Sequence, residues 1–132
     1  MGGMNKEPEF IDNSAALARP EAFVSADVDV ARVLESWRLS LYSFEWLLPD
    51  GSLKFAADLP EGEQAKRRAV EEALERGEAL EKPVLGLGLQ ETIEIGSGRA
   101  VFLTLAAKGA QVLPAHILKS QMDDFKAFIA QV

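Results

Sequence analysis

Strand, glycine loop and helix follow one another without a spacer at Ile93-Glu94-Ile95-Gly96-Ser97-Gly98-Arg99. A chain with that junction has to stack helix on sheet. The alternation at Ile93-Glu94-Ile95 reads as a short strand, and the run opened by Arg99 reads as a helix. Glycines let the main chain turn tightly and present its N–H groups, and a helix N-terminus adds roughly half a positive charge. Arg99 adds a full charge in a planar fork that suits phosphate. Gly96, Ser97, Gly98 and Arg99 are therefore a candidate phosphate cradle. The same triplet also serves as a plain tight turn. It is neither a P-loop nor a dinucleotide fingerprint, because the spacing and the Lys-Ser/Thr ending are absent.

The flanking sequence supplies the remaining layers. Residues 61–76 are the clearest helix: Glu61 and Glu63 sit at its positive end, Arg76 at its negative end, and Gly77 fits the position after the last turn. Ala65, Ala69, Val70, Ala73 and Leu74 form its expected buried face, and Lys66, Arg67, Arg68, Glu71, Glu72 and Glu75 its wet one. Residues 82–89 read as a buried strand with glycines where backbones pass closely. Val101-Phe102-Leu103-Thr104-Leu105 has strand propensity, but Val101, Leu105 and Lys108 also fit a helix stopped by Gly109. Val112 to Ile117 is a further strand, and Leu118, Met122, Phe125, Phe128 and Ile129 share one face of an expected last helix.

Towards the N-terminus, residues 27–36 suit a short helix capped by Asp27. Trp37 to Phe44 alternates and is rich in aromatics, which favours a strand, although Val30, Val33, Leu34, Trp37, Leu41 and Phe44 also fit a helical stripe. Pro49-Asp50-Gly51-Ser52 is a turn signal. Residues 1–26 are polar, without a sustained period, and read as a flexible arm with one helical turn; Met1-Gly2-Gly3-Met4 reads as an added segment before a native Met. The expectation is one compact α/β (α+β) domain over 27–132, a small mixed sheet with flanking helices.

A length of 132 residues suits one domain, and 48% apolar residues suffice for one core. There is no cysteine and a single histidine, His116, which excludes disulfides, thiolate nucleophiles and Cys- or His-rich metal sites. No secretory signal is visible, and no apolar run approaches the ~20 residues that cross a bilayer. The chain is thus expected in the cytoplasm and off the membrane. Net charge is −7 but uneven: residues 1–95 balance to −9 and residues 96–132 to +2. So acidic a chain is a poor general coat for DNA, whose affinity comes from Lys and Arg. DNA contact is expected on the C-terminal third, around Arg99, Lys108 and Lys119, with Lys66-Arg67-Arg68 joining if that helix lies alongside.

The order of these segments resembles the ParB/sulfiredoxin fold family. The resemblance runs over about residues 38–118, from Leu39-Ser40-Leu41-Tyr42 and Phe44-Glu45-Trp46-Leu47-Leu48-Pro49, through the helix and Pro83-Val84-Leu85, to the glycine-arginine loop and Val112-Leu113-Pro114-Ala115-His116-Ile117. Family loops often carry His or Cys where this one has Gly96-Ser97-Gly98-Arg99, so sulfiredoxin's cysteine chemistry is ruled out. No helix-turn-helix or dimerisation domain follows in this sequence, so a chromosome-partitioning clamp is not expected. In organisation the chain is most similar to stand-alone members that act as plasmid fertility-inhibition proteins. That resemblance implies a nucleotide-binding ATPase or DNase that inhibits conjugative DNA transfer, with ATP or another nucleotide and Mg as cofactors; haem, zinc and flavin are not expected.

In that reading Arg99 stabilises developing charge, Glu94 or Glu45 acts with it in catalysis, and Glu91 and Glu94 are candidates for a metal. The bland alternatives are solvent-facing carboxylates, a structural His116, a solvated face at Lys66-Arg67-Arg68, and core packing for Trp37, Tyr42, Phe44 and Trp46. The rival function is a non-catalytic acidic inhibitor that docks on a protein partner of the conjugative transfer machinery.

Overall fold

A computed structural model describes residues 8–130. In chain order the elements are β1 (Phe10–Ile11), α1 (Ser14–Leu17), β2 (Phe23–Asp29), α2 (Val30–Trp37), α3 (Glu61–Glu75), β3 (Leu80–Glu81), β4 (Val84–Leu87), β5 (Ile93–Ile95), α4 (Arg99–Ala107) and β6 (Val112–Leu118). Short 3-10 turns join several of them, and a longer 3-10 run covers Lys119–Phe128. This is the expected mixed α/β architecture.

The main sheet has the order β2-β6-β4-β5. β2 and β6 pair antiparallel along their whole length, from Phe23↔Leu118 to Asp29↔Val112. β4 joins β6 in parallel and β5 in antiparallel fashion. Strand alternation and this register put Val28, Leu113, Ala115, Ile117, Leu85, Ile93 and Ile95 on one face, and all are buried. Ser25, Asp27, His116, Gly86 and Glu94 fall on the other. α4 is buried at four successive residues, Phe102 to Leu105, because α3 packs over it. Both outer strands are closed. Val28 bridges to Ile129, and Ala130 N–H donates to Asp27 O, along β2. On β5 the Ser36 hydroxyl accepts from Ile93 N–H at 2.9 Å and Arg99 Nε donates to Ile95 O at 3.2 Å. Unpaired edges invite other chains, so these contacts protect the sheet.

Several expectations need correction. Of the arm expected over 1–26, residues 1–7 lie outside the described residues, and the rest is placed within the domain: β1 pairs with β3, and β2 is a full strand of the main sheet. The cap of α2 is Asp29, whose Oδ1 accepts from Arg32 N–H at 3.1 Å; Asp27 lies inside β2. No strand forms over Trp37–Phe44. α2 runs to Trp37 and turns follow, because Ser43 Oγ donates to the carbonyls of Arg38 and Ser40 and so satisfies locally what a ladder would otherwise satisfy. Trp37 is buried as the helical stripe requires, but Leu41 and Phe44 are exposed.

α3 and its glycine stop, Gly77 at φ +71, are as expected, but its inward face differs. Ala65 and Ala69 are exposed, and Glu63, Arg67, Val70 and Leu74 form the inner stripe at spacings of four, three and four. The last helix is 3-10 rather than α. Its ten residues must carry the chain from the end of β6 back to β2, and a 3-10 run spans about 20 Å where an α-helix spans about 15 Å. Leu118 belongs to β6, and Phe125 is the buried anchor of the run.

Asn13 ties the N-terminal segment to the sheet. It is fully buried, and its Oδ1 caps α1 through Ala15 N–H at 2.8 Å. Its Nδ2 donates to Lys82 O at 2.9 Å and Ser97 Oγ at 3.1 Å, and its backbone N–H donates to His116 Nε2 at 3.0 Å. Truncating one member of such a network leaves several buried groups unpaired, each costing about 1–3 kcal/mol. Asn13→Ala is expected to lose about 2–4 kcal/mol in urea unfolding by the same reasoning. A loss below about 0.5 kcal/mol, the range of ordinary surface changes, would show that the Asn13 bonds do not hold the N-terminal segment to the sheet.

Candidate functional site

The glycine loop is fastened to β4 before it reaches α4. Gly96 N–H donates to Val84 O, and Val84 N–H to Ser97 O, both at 2.9 Å. Gly98 then takes φ +83, a left-handed conformation that favours glycine, and a Cβ there would lie 2.8 Å from Pro83 Cα. The backbone must pass this close for α4 to start where it does. No side chain caps α4, and the first-turn N–H groups of a helix have no intrahelical acceptor. Those of Arg99, Ala100 and Val101 head a cleft of about 440 Å³ that Gly96, Gly98, Glu63 and Lys66 also line.

Arg99 stands at the rim of this cleft in a fixed pose. Besides its bond to Ile95 O, its guanidinium carbon lies 6.0 Å from the Trp37 ring centre and 5.8 Å from that of Tyr42. These are cation–π distances. It makes no ion pair among the described residues, so its terminal nitrogens remain available to an anion. Opposite, Glu63 has a side chain only 13% exposed. It accepts from Trp46 Nε1 at 2.9 Å and pairs with Lys66 Nζ at 3.1 Å. Burial pushes its carboxyl up, but the Trp46 and Lys66 hydrogen bonds and the charges of Lys66 and Arg99 outweigh it and hold the carboxyl below the usual Glu value. Glu63 was read from sequence only as a helix-start charge. No local signal marks it, because only the packing of α3 on α4 brings it to the cleft.

The other candidate carboxylates do not line this cleft. Glu94 points to the opposite side of β5 from Ile93 and Ile95, where its Oε1 accepts from Ser40 Oγ at 2.9 Å and its side chain lies against Gly88. Glu45 ends the Ser43–Glu45 turn, half-buried. Glu91 is exposed on a turn where it and Gln90 both take positive φ. Among the described residues no group of three or more His, Asp or Glu is placed to hold a metal. Glu91 and Glu94 therefore do not make a protein cage for Mg²⁺ by themselves.

The cations of the expected DNA face are partly gathered. α3 packs on α4, so Lys66 lines the cleft and Arg67 turns inward while Arg68 is exposed, and Glu71 pairs with both Arg67 (3.2 Å) and Lys108 (3.7 Å). Lys108 is at the far end of α4, about 13 Å from Arg99 at 1.5 Å per residue. Lys119 follows β6 at the end where β4 finishes, whereas the loop meets β4 at its start. It is not beside the loop.

His116 is a structural residue. Its Nε2 accepts the Asn13 N–H, its ring meets Phe23 edge-on, and Asp12 Oδ1 is 3.7 Å away. Burial lowers its pKa, the Asp12 charge opposes this, and Lys82 adds to it. Trp37 and Trp46 are core residues, while Tyr42 and Phe44 are exposed. No family model matches the sequence, and no curated protein or solved structure matches it.

Two groups give the fold a stepped response to acid. The folded-state pKa of His116 lies below its ordinary 6.5, so the unfolded chain takes up that proton first and stability falls as pH drops below about 6.5. That of Glu63 lies below 4.5, so its contribution is complete above that pH and is lost as pH falls through the folded value. Thermal midpoints measured from pH 8 to 3 are expected to lose the first step in His116→Gln, which keeps an acceptor but does not titrate, and to lose the second in Glu63→Gln. Profiles that superimpose on the wild type would contradict these assignments.

Proposed function

We propose that the chain binds a nucleotide by its phosphates at the N-terminus of α4. The observation that carries this reading is the convergence, on one cleft, of three first-turn N–H groups with Arg99 and Lys66. Tyr42, half exposed and against Arg99, offers a ring on which a base can stack. The likeness to the ParB/sulfiredoxin fold supports the same choice of loop.

The reading extends to phosphate-bond hydrolysis. Donors aimed at phosphate oxygens stabilise charge that develops there, and Arg99 is already oriented to do so. Glu63 is the carboxylate at hand. Held ionised and bonded to Trp46 and Lys66, it is a weak proton acceptor, and its remaining lone pairs suit it to orient an attacking water. Mg²⁺, which Glu91 and Glu94 do not cage, would come with the nucleotide. The resemblance to plasmid fertility-inhibition proteins, of which Osa is an example, supports a proposed role for such an activity in restraining conjugative DNA transfer.

Calorimetry with ATP and with pyrophosphate tests the site. Arg99→Ala is expected to weaken both ligands about 10–100-fold, as befits a lost charge-assisted hydrogen bond. Unchanged affinity would remove the basis of the proposal. ATPase and plasmid-nicking assays with and without Mg²⁺ separate hydrolysis from binding: activity that survives Arg99→Ala belongs to a contaminant.

Any duplex contact is proposed on the α3–α4 side, at Lys66, Arg68 and Lys108, with Lys119 outside it. Three to four neutralised phosphates give a slope of about −3 in log K against log salt. Binding to a short duplex across a salt series is expected to weaken in Lys108→Glu and not in Lys119→Glu. A slope near −8, or the reverse ranking of the two variants, would put DNA elsewhere.

A further inference from the structure

A second surface, separate from the cleft, is built by the turns after α2. Nine large apolar residues are exposed among the described residues, and six of them fall within 39–55: Leu39, Leu41, Tyr42, Phe44, Leu48 and Phe55. Leu39 is 71%, Phe44 65% and Phe55 81% exposed. Scattered single residues of this kind are ordinary, but a concentration of them marks an interaction site. Here they are not spread over a flat face. Three of them, Leu39, Phe44 and Leu48, line with the buried Leu47 a groove of about 600 Å³ between the end of α2 and the Pro49–Ser52 turn.

The turn is well built. Leu47 and Leu53 bridge across it, and Gly51 accepts φ +90 at its tip. Asp50 Oδ1 takes both the N–H and the hydroxyl of Ser52. The groove is thus a shaped feature of the fold.

Its charge identifies the occupant. The charged residues that line it are Arg38 and Lys54, and neither makes an ion pair among the described residues. Arg38 lies flat against Gly51, 3.5 Å from where a Cβ would be. The Asp50 carboxylate at the turn, whose Oδ1 accepts from Ser52, lies close enough to feel the Arg38 charge, but the two make no ion pair. An apolar groove with two cations on its rim is complementary to an acidic, apolar segment. We infer that this groove docks a segment of another protein that carries Leu- or Phe-type side chains flanked by Asp or Glu. A second copy is disfavoured because facing grooves would set Arg38 and Lys54 against their equivalents between two chains of like net charge. An anionic lipid surface is disfavoured by that same net charge and by the concave shape.

Fluorescence anisotropy with two synthetic helical peptides tests the inference. Both carry Leu and Phe at every third or fourth position; one has Glu at the flanking sites and the other Lys. Wild-type protein is expected to bind the Glu peptide, with affinity falling as salt rises, and to bind the Lys peptide at least about tenfold less well. Arg38→Glu/Lys54→Glu is expected to invert that preference, and Phe44→Ser to weaken both peptides about tenfold, one exposed aromatic anchor being worth a decade or more. Arg38 and Phe44 are exposed and Lys54 is half-buried, and circular dichroism of the variants is expected to match the wild type. Equal binding of the two peptides, or a preference unmoved by charge reversal, would overturn the inference. So would a concentration-dependent dimer in light scattering that Phe44→Ser abolishes, or co-sedimentation with phosphatidylglycerol vesicles that depends on Phe44.

Discussion

The position of α4 depends on the join between Val84 and the glycine loop. Two backbone hydrogen bonds continue the β4–β5 ladder past the end of β5 and hold Gly96 and Ser97 against the start of β4. Gly98 then turns into a conformation open chiefly to glycine, with Pro83 in contact where any side chain would stand. Pro83 has no N–H to offer, so this close backbone approach blocks no donor there. Every group that heads the cleft inherits its place from this join: the bare N–H groups of α4, Arg99 one residue on, and, through the packing of α3 on α4, Glu63 and Lys66.

Arg99 serves two ends at once. Its Nε–H closes the outer edge of β5, and its charge rests between Trp37 and Tyr42. A side chain as long as arginine would ordinarily lose much rotamer freedom on meeting a ligand. Here the edge bond and the two rings have already restricted it, so an anion meets a preorganised fork. The same arrangement ties the site to the fold, since a change at residue 99 also uncovers a strand edge.

The regular elements were legible where period and punctuation agreed. α3 has its charges at the correct ends and Gly77 after it, β6 is a clean apolar run, and Gly109 does stop α4. The failures have two causes: partners distant in sequence, and side chains that bond to their own nearby backbone. The polar segment 10–26 has no period of its own and becomes ordered through Asn13, Lys82 and Ser97, residues far apart in sequence. Trp37–Phe44 has strand propensity, but its serines bond to nearby carbonyls and Ser36 and Ser40 are used by β5. At the site, Gly96 to Arg99 were readable because loop and helix start are adjacent in sequence. Glu63 was not, because only the docking of α3 on α4 brings it there.

Charge shows how little a linear balance says about a surface. Residues 96–132 carry a formal excess of positive charge, yet their cations do not form a patch. Lys108 is drawn to Glu71 of α3, Lys126 to Asp123 one turn earlier, and Lys119 sits at the other end of the sheet from the loop. Lys66 and Arg67, from the acidic part, are likewise met by Glu63 and Glu71. Most of these pairs are solvent-exposed and contribute little to stability. Their effect is to neutralise cations locally. Among the described residues, Arg19, Arg38, Lys54, Arg68, Arg99 and Lys119 are without an ion pair; of these, Arg99 stands at the cleft and Arg38 and Lys54 at the apolar groove. In a chain of net charge −7 these are places where an anionic partner meets attraction at short range while the bulk of the molecule repels it, which favours small or local anionic groups over an extended polyanion.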